Sequence, residues 1–226
     1  MRKFISIFAF AMIATASAHA GSTSVKGLWG TDALNWEISG TEQTQLWDLF
    51  TGSKQKLFKI QKSDDGVYAL SDIDGQSNLS FSYSPELSVF KGKLDGKSVD
   101  LTVKHTNLGT HWFEGVFKNH RPSLRIDVPS EQRVEGRATG FYKNELADLY
   151  IIRQEHGYWF KGYMNGYWID LTVQRNGDTY TFEGSYLNKK MSLTVTSNQS
   201  INDVIEYLLL DMPIPNSDFL NLGDFK

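Results

Sequence analysis

Four aromatic residues, Trp112, Trp159, Tyr163 and Trp168, are the side chains of this sequence best suited to binding chemistry. Exposed rings offer a large contact area at low entropic cost and carry a polar handle, so they stack on sugar rings or anchor protein partners. Other chemistries find little to work with. His105, His111 and His120 are separated by loops and turns, with neither His-x-His nor helix-borne His-x-x-x-His spacing, so no metal site is expected. His156 reads as a polar loop residue ahead of Tyr158. The 26 acidic residues are numerous enough that an acid pair of the glycosidase kind cannot be told from background. No nucleophile elbow, phosphate-binding glycine loop or triad signature is present, and the lack of cysteine excludes thiol catalysis and zinc–cysteine sites. The reading is a non-catalytic chain without a cofactor.

Net charge and leader narrow the setting. A formal charge of −3 with no dense Lys/Arg cluster gives no pull toward nucleic acid or an anionic membrane. Arg2 and Lys3 precede an apolar run over residues 4–13, and small residues then lead to Ala18-His19-Ala20. This predicts a secretory signal peptide over residues 1–20, cleaved after Ala20, and a periplasmic or secreted protein. No later run is long and apolar enough for a transmembrane helix.

The elements that must position the aromatics come from an internal repeat. Phe90-Lys91-Gly92 followed by Asp100-Leu101-Thr102-Val103 recurs seventy residues later as Phe160-Lys161-Gly162 and Asp170-Leu171-Thr172-Val173. Phe113-Glu114-Gly115 likewise matches Phe182-Glu183-Gly184, so a shorter unit lies within the block. That unit reads as a hairpin. Its second strand can be followed as Trp36/Ile38, Phe58/Ile60, Leu79/Phe81, Leu101/Val103, Leu124/Ile126, Leu149/Ile151, Leu171/Val173 and Leu193/Val195, at spacings of 22, 21, 22, 23, 25, 22 and 22 residues. Eight such hairpins over residues 21–199 predict an all-β meander, a curved open sheet in preference to a closed barrel.

Turn chemistry sets the register. Asp95-Gly96 and Asn165-Gly166 are two-residue signals for a type I′ turn, and Asp74-Gly75 and Lys118-Asn119 occupy equivalent places. With Asn165-Gly166 as the loop, Met164 pairs with Tyr167, Gly162 with Ile169, Phe160 with Leu171 and Tyr158 with Val173 on one face. Trp159, Lys161, Tyr163, Trp168, Asp170 and Thr172 fall on the other, and Trp112 joins them two hairpins away. Lys161 opposite Asp170, and Lys91 opposite Asp100, read as solvent-facing ion pairs worth under about 1 kcal/mol each. Tyr163 and Trp168 are either a cross-strand pair worth about 0.5 kcal/mol or part of a ligand patch. The 88–104 copy carries Val89, Lys93 and Ser98 instead. Beyond Val195 the period changes. Ser200 and Asp203 read as an N-cap and capping acid for an amphipathic helix over 200–212 that covers one end of the sheet, and residues 213–226 form a tail.

The repeat resembles the membrane occupation and recognition nexus (MORN) repeat, a hairpin opening Tyr/Phe-Glu-Gly and continuing to Lys-Asn or Asn-Gly. Phe113-Glu114-Gly115-Val116-Phe117-Lys118-Asn119 carries that opening; Phe182-Glu183-Gly184 with Asn188, and Phe160-Lys161-Gly162 with Asn165-Gly166, where Lys161 replaces the Glu, follow it less closely. Leu124 and Ile126, or Leu193 and Val195, stand where the family carries further glycines. The resemblance implies a sheet of stacked hairpins serving as a scaffold or binding surface for lipids or proteins, and supplies no catalytic residue. The sequence thus predicts an exported binding or scaffold protein engaging a glycan or protein surface through its aromatic face. Its rivals are a soluble barrel around a small apolar ligand, a small outer-membrane barrel, and an envelope hydrolase or inhibitor.

Overall fold

The computed structural model describes residues 23–196 except 42, 85, 107–108, 130–132, 143–144 and 165. The expected signal peptide over 1–20, the helix over 200–212 and the tail over 213–226 lie outside the described residues, as does Asn165.

Alternating apolar residues between turns and short loops give sixteen successive strands among the described residues. They are β1 (Thr23–Trp29), β2 (Asp32–Gly40), β3 (Thr44–Thr51), β4 (Lys54–Lys62), β5 (Tyr68–Asp72), β6 (Asn78–Tyr83), β7 (Leu87–Leu94) and β8 (Lys97–His105). The second half comprises β9 (Thr110–Phe117), β10 (Ser123–Asp127), β11 (Glu135–Tyr142), β12 (Glu145–Gln154), β13 (Gly157–Met164), β14 (Tyr167–Asn176), β15 (Thr179–Tyr186) and β16 (Lys189–Thr196). The sixteen residues traced through the repeat all lie on the even-numbered strands, and none is more than 3% exposed. The register around β13 and β14 is the expected one, with Phe160 opposite Leu171, Gly162 opposite Ile169 and Tyr158 opposite Val173. Asp95 and Gly96 have φ of 51° and 73°, and Lys118 and Asn119 have φ of 49° and 67°. Positive φ at both central residues is the type I′ signature, which matches the twist of the strands it joins.

The expected open sheet is corrected: β1 pairs with β16 and the meander closes into a barrel. The seam follows the same rule as the repeat. Gly162 faces Leu149, Gly184 faces Leu171, and across the closure Gly27 faces Leu193. A Cβ at Gly162 (φ 144°) would run into the Asp148 carbonyl, and one at Gly27 (φ 150°) into that of Ser192. Both glycines therefore serve close strand approach, and β1 acts as the next odd strand for the last hairpin. Among the described residues closure leaves no edge strand, so the sheet itself satisfies the backbone groups that a covering helix would otherwise have to screen.

The apolar faces point inward and the polar faces outward. Trp47, Phe90, Leu101, Leu149, Val173 and Tyr180 have no exposed surface, so the interior is filled. Sixteen strands can enclose an aqueous channel, but here the inward-facing side chains are shut off from water. The strands run from 5 to 10 residues. The outer wall carries Lys26, Glu37, Lys59, Lys91, Asp100 and Glu183, all exposed. A charged exterior around an apolar interior is the reverse of a lipid-embedded barrel.

The two ends differ. Turns joining each odd strand to the next even one gather at one end, where Lys56 from β4 and Lys118 from the β9–β10 turn both bind Asp95, the latter at 3.4 Å. The opposite end holds the remaining connections, together with Thr23 and Thr196 at the two ends of the described chain.

Candidate aromatic binding surface

Side-chain alternation along β9, β13 and β14 sends Trp112, Trp159, Tyr163 and Trp168 to the outer wall, while Phe113, Phe160, Ile169 and Leu171 go to the core. Antiparallel pairing brings three of the four into one transverse row. Trp112 faces Arg125, Arg125 faces Thr139, Thr139 faces Asp148, Asp148 faces Tyr163 and Tyr163 faces Trp168. Trp112 is 42% exposed, Tyr163 51% and Trp168 38%. Tyr163 and Trp168 meet edge to face with centroids 4.9 Å apart, so they form the cross-strand pair and still present ring surface to solvent.

Trp159 is placed differently. It is half-buried, its indole N–H donates to Asp170 at 2.7 Å, and the Lys161 ammonium lies 4.6 Å above its ring. The expected Lys161–Asp170 ion pair is thereby corrected. The two residues are in register, but the carboxylate accepts from Trp159 and the ammonium rests on the indole. Lys91 and Asp100 are likewise directly opposed, in the equivalent hairpin.

Sequence reasoning missed the partners of these rings. The Arg125 guanidinium lies 4.9 Å over Trp112 and pairs with Asp127 at 2.9 Å. Arg137 lies 4.8 Å over Tyr150, itself 41% exposed, and grips Asp148 through Nε and Nη2 at 2.8 and 2.9 Å. One row nearer the tight turns, Phe141 and Leu146 face each other and are both exposed. The signal for Tyr150 was available, since it lies between the buried Leu149 and Ile151. The pairing of β11 with β12 was not, because the 25-residue step from Leu124 to Leu149 puts its extra residues into the β10–β11 connection.

The histidines also come out differently. His105 and His111, expected to be separated by a loop, are opposed in the β8–β9 hairpin and point into the core. Their Nδ1 atoms are 2.7 Å apart, and His105 Nε2 is 2.7 Å from Ser88 Oγ. Burial pushes His105 down to about 4. Burial and then the neighbouring His105 push His111 down to about 3, against an opposing pull from Asp127. A serine joined to a histidine that is joined to a third group has the outline of a nucleophile–base pair. Ser88, however, has no exposed surface, so no substrate carbonyl reaches it, and the chain of hydrogen bonds serves to satisfy buried polar groups. His120 and His156 take no part in it; His156 is exposed in the β12–β13 connection. Among the described residues no group of three or more His, Cys, Asp or Glu side chains is arranged to hold a metal ion.

No protein family, curated protein or solved structure matches the chain.

Proposed function

We propose that this is an exported, non-catalytic binding protein whose outer wall over β9–β14 engages a glycan, with a protein surface as the competing partner. The observation that carries the reading is the single transverse row in which Trp112, Tyr163 and Trp168 stay exposed on a sheet whose interior is already filled. A filled interior speaks against a small apolar ligand within the barrel, and a charged exterior against lipid. Rings left in water on a stable sheet add nothing to the core, and rigid aromatics are what binding surfaces use.

The test is co-sedimentation with insoluble cell-wall polysaccharide and, separately, with lipid vesicles, comparing the protein with Tyr163→Ala/Trp168→Ala. Retention on polysaccharide that falls at least tenfold in the variant, with an unchanged circular dichroism spectrum, is the expected result. Equal retention of both proteins would assign the rings a structural role.

A further inference from the structure

The outer wall repeats one arrangement on three successive hairpins. On β9–β10 it is Trp112 under Arg125 with Asp127, on β11–β12 Tyr150 under Arg137 with Asp148, and on β13–β14 Trp159 under Lys161 with Asp170. Each unit contains a ring, a cation resting on it at 4.6 to 4.9 Å, and a carboxylate bonded to the cation or to the ring N–H.

From this we infer that the ligand of the aromatic wall is a neutral, linear polysaccharide lying across the strands. The inference rests on the binding role proposed above and names its ligand class. Charge balance is its first support. Within the three units three cations are matched by three carboxylates, so the units themselves carry no net charge to favour a polyanion or a polycation.

Hydrogen-bonding capacity is the second. A guanidinium has five N–H donors and a carboxylate about four acceptor positions, so Arg137 and Asp148 keep unused capacity on either side of their two mutual bonds. Alternating donors and acceptors suit hydroxyl groups, which both donate and accept. The third support is the interleaving of rings with charges along the row. The centre of a protein–protein interface is depleted of charged residues, whereas here Arg125 and Asp148 stand between Trp112 and Tyr163. Sugar rings, apolar on their faces and polar at their edges, match that alternation. Extent is the last. From β9 to β14 there are five inter-strand steps of about 4.8 Å, roughly 24 Å in all, which suits a polymer better than a single sugar.

The experiment is a pull-down on insoluble cellulose and affinity electrophoresis in a soluble neutral glucan, in polygalacturonate and in chitosan, at low and high salt. Arg125→Ala, Arg137→Ala and Phe141→Ser/Leu146→Ser are compared with the unaltered protein, with thermal melting as a check on folding. The expected result is retention by a neutral glucan that changes less than twofold with salt. It should fall five- to tenfold in each arginine variant and stay unchanged in Phe141→Ser/Leu146→Ser. Retention only by polygalacturonate or only by chitosan, and lost in salt, would overturn the neutral class while leaving the glycan-binding role standing. Retention by none of the four would overturn the role as well. Loss of neutral-glucan retention in Phe141→Ser/Leu146→Ser but not in the arginine variants would move binding to the apolar pair and overturn the inference.

Discussion

The hairpins β7–β8 and β13–β14 are two copies of one design with different outer faces. Inside they agree: Phe90 faces Leu101 as Phe160 faces Leu171, and all four are buried. Outside, Lys91 faces Asp100 as Lys161 faces Asp170. Among the positions where the copies part, three concern the outer aromatics. Val89, Lys93 and Ser98 in the first stand where Trp159, Tyr163 and Trp168 stand in the second, in the same register. The shared residues include those that fill the barrel, and β7–β8 keeps the same pairing register without outer aromatics. The rings on β13–β14 are what the second copy adds on its outer face to that shared core.

The largest effects should be common to both copies. Phe90→Ala and Phe160→Ala are each expected to cost about 3–5 kcal/mol in chemical denaturation, because each leaves a cavity in a core that cannot collapse freely. A loss confined to one copy would break the equivalence of the inner faces.

Acid should act next, where β8 of the first copy meets β9. His105 and His111 titrate in the unfolded chain near 6.5 but are held down to about 4 and about 3 in the fold. Their contribution is thus fully present above pH 6.5 and is lost as pH falls from there toward 4. Each histidine costs about 1.4 kcal/mol per pH unit over that window, on the order of 4 kcal/mol for the pair at pH 5. Melting temperatures at pH 7.5 and 5 should converge in His105→Gln/His111→Leu. An unchanged pH dependence in that variant would place the acid sensitivity elsewhere.

A graft sharpens the comparison further. Lys93→Tyr/Ser98→Trp should give β7–β8 an outer ring pair, raising retention on neutral glucan while altering stability by less than about 1 kcal/mol. The smallest expected effects are at the lysines. Lys161→Ala should cost about 0.5–1 kcal/mol through the lost contact with the Trp159 ring, and Lys91→Ala less than about 0.5 kcal/mol, both read from thermal melts. Equal costs would remove the distinction drawn between the two lysines.

Most of the barrel wall could be read from the sequence because the hairpin repeat acts locally. Strict alternation and the turns at Asp95-Gly96 and Lys118-Asn119 fix strand, face and register within each hairpin. Closure was not legible in that way. It depends on Gly27 meeting Leu193, a pairing between opposite ends of the chain that no local pattern announces. The same limit applied to the surface. Trp112, Tyr163 and Trp168 could be assigned to the outer face by alternation, but Arg125 over Trp112 and Arg137 over Tyr150 needed register across hairpins of unequal spacing. Trp159 shows the converse: its face was legible, while its engagement by Asp170 and Lys161 depended on rotamers.

The central claim is that the outer rings of β13–β14 are dispensable for the barrel and required for its binding. The most direct test is to give β14 and β13 the residues of the first copy, as Tyr163→Lys/Trp168→Ser, and to measure melting temperature and neutral-glucan retention on the same preparation. A melting temperature within a few degrees of the original with retention reduced at least tenfold is the predicted result. Undiminished retention, or a barrel that no longer folds, would contradict it.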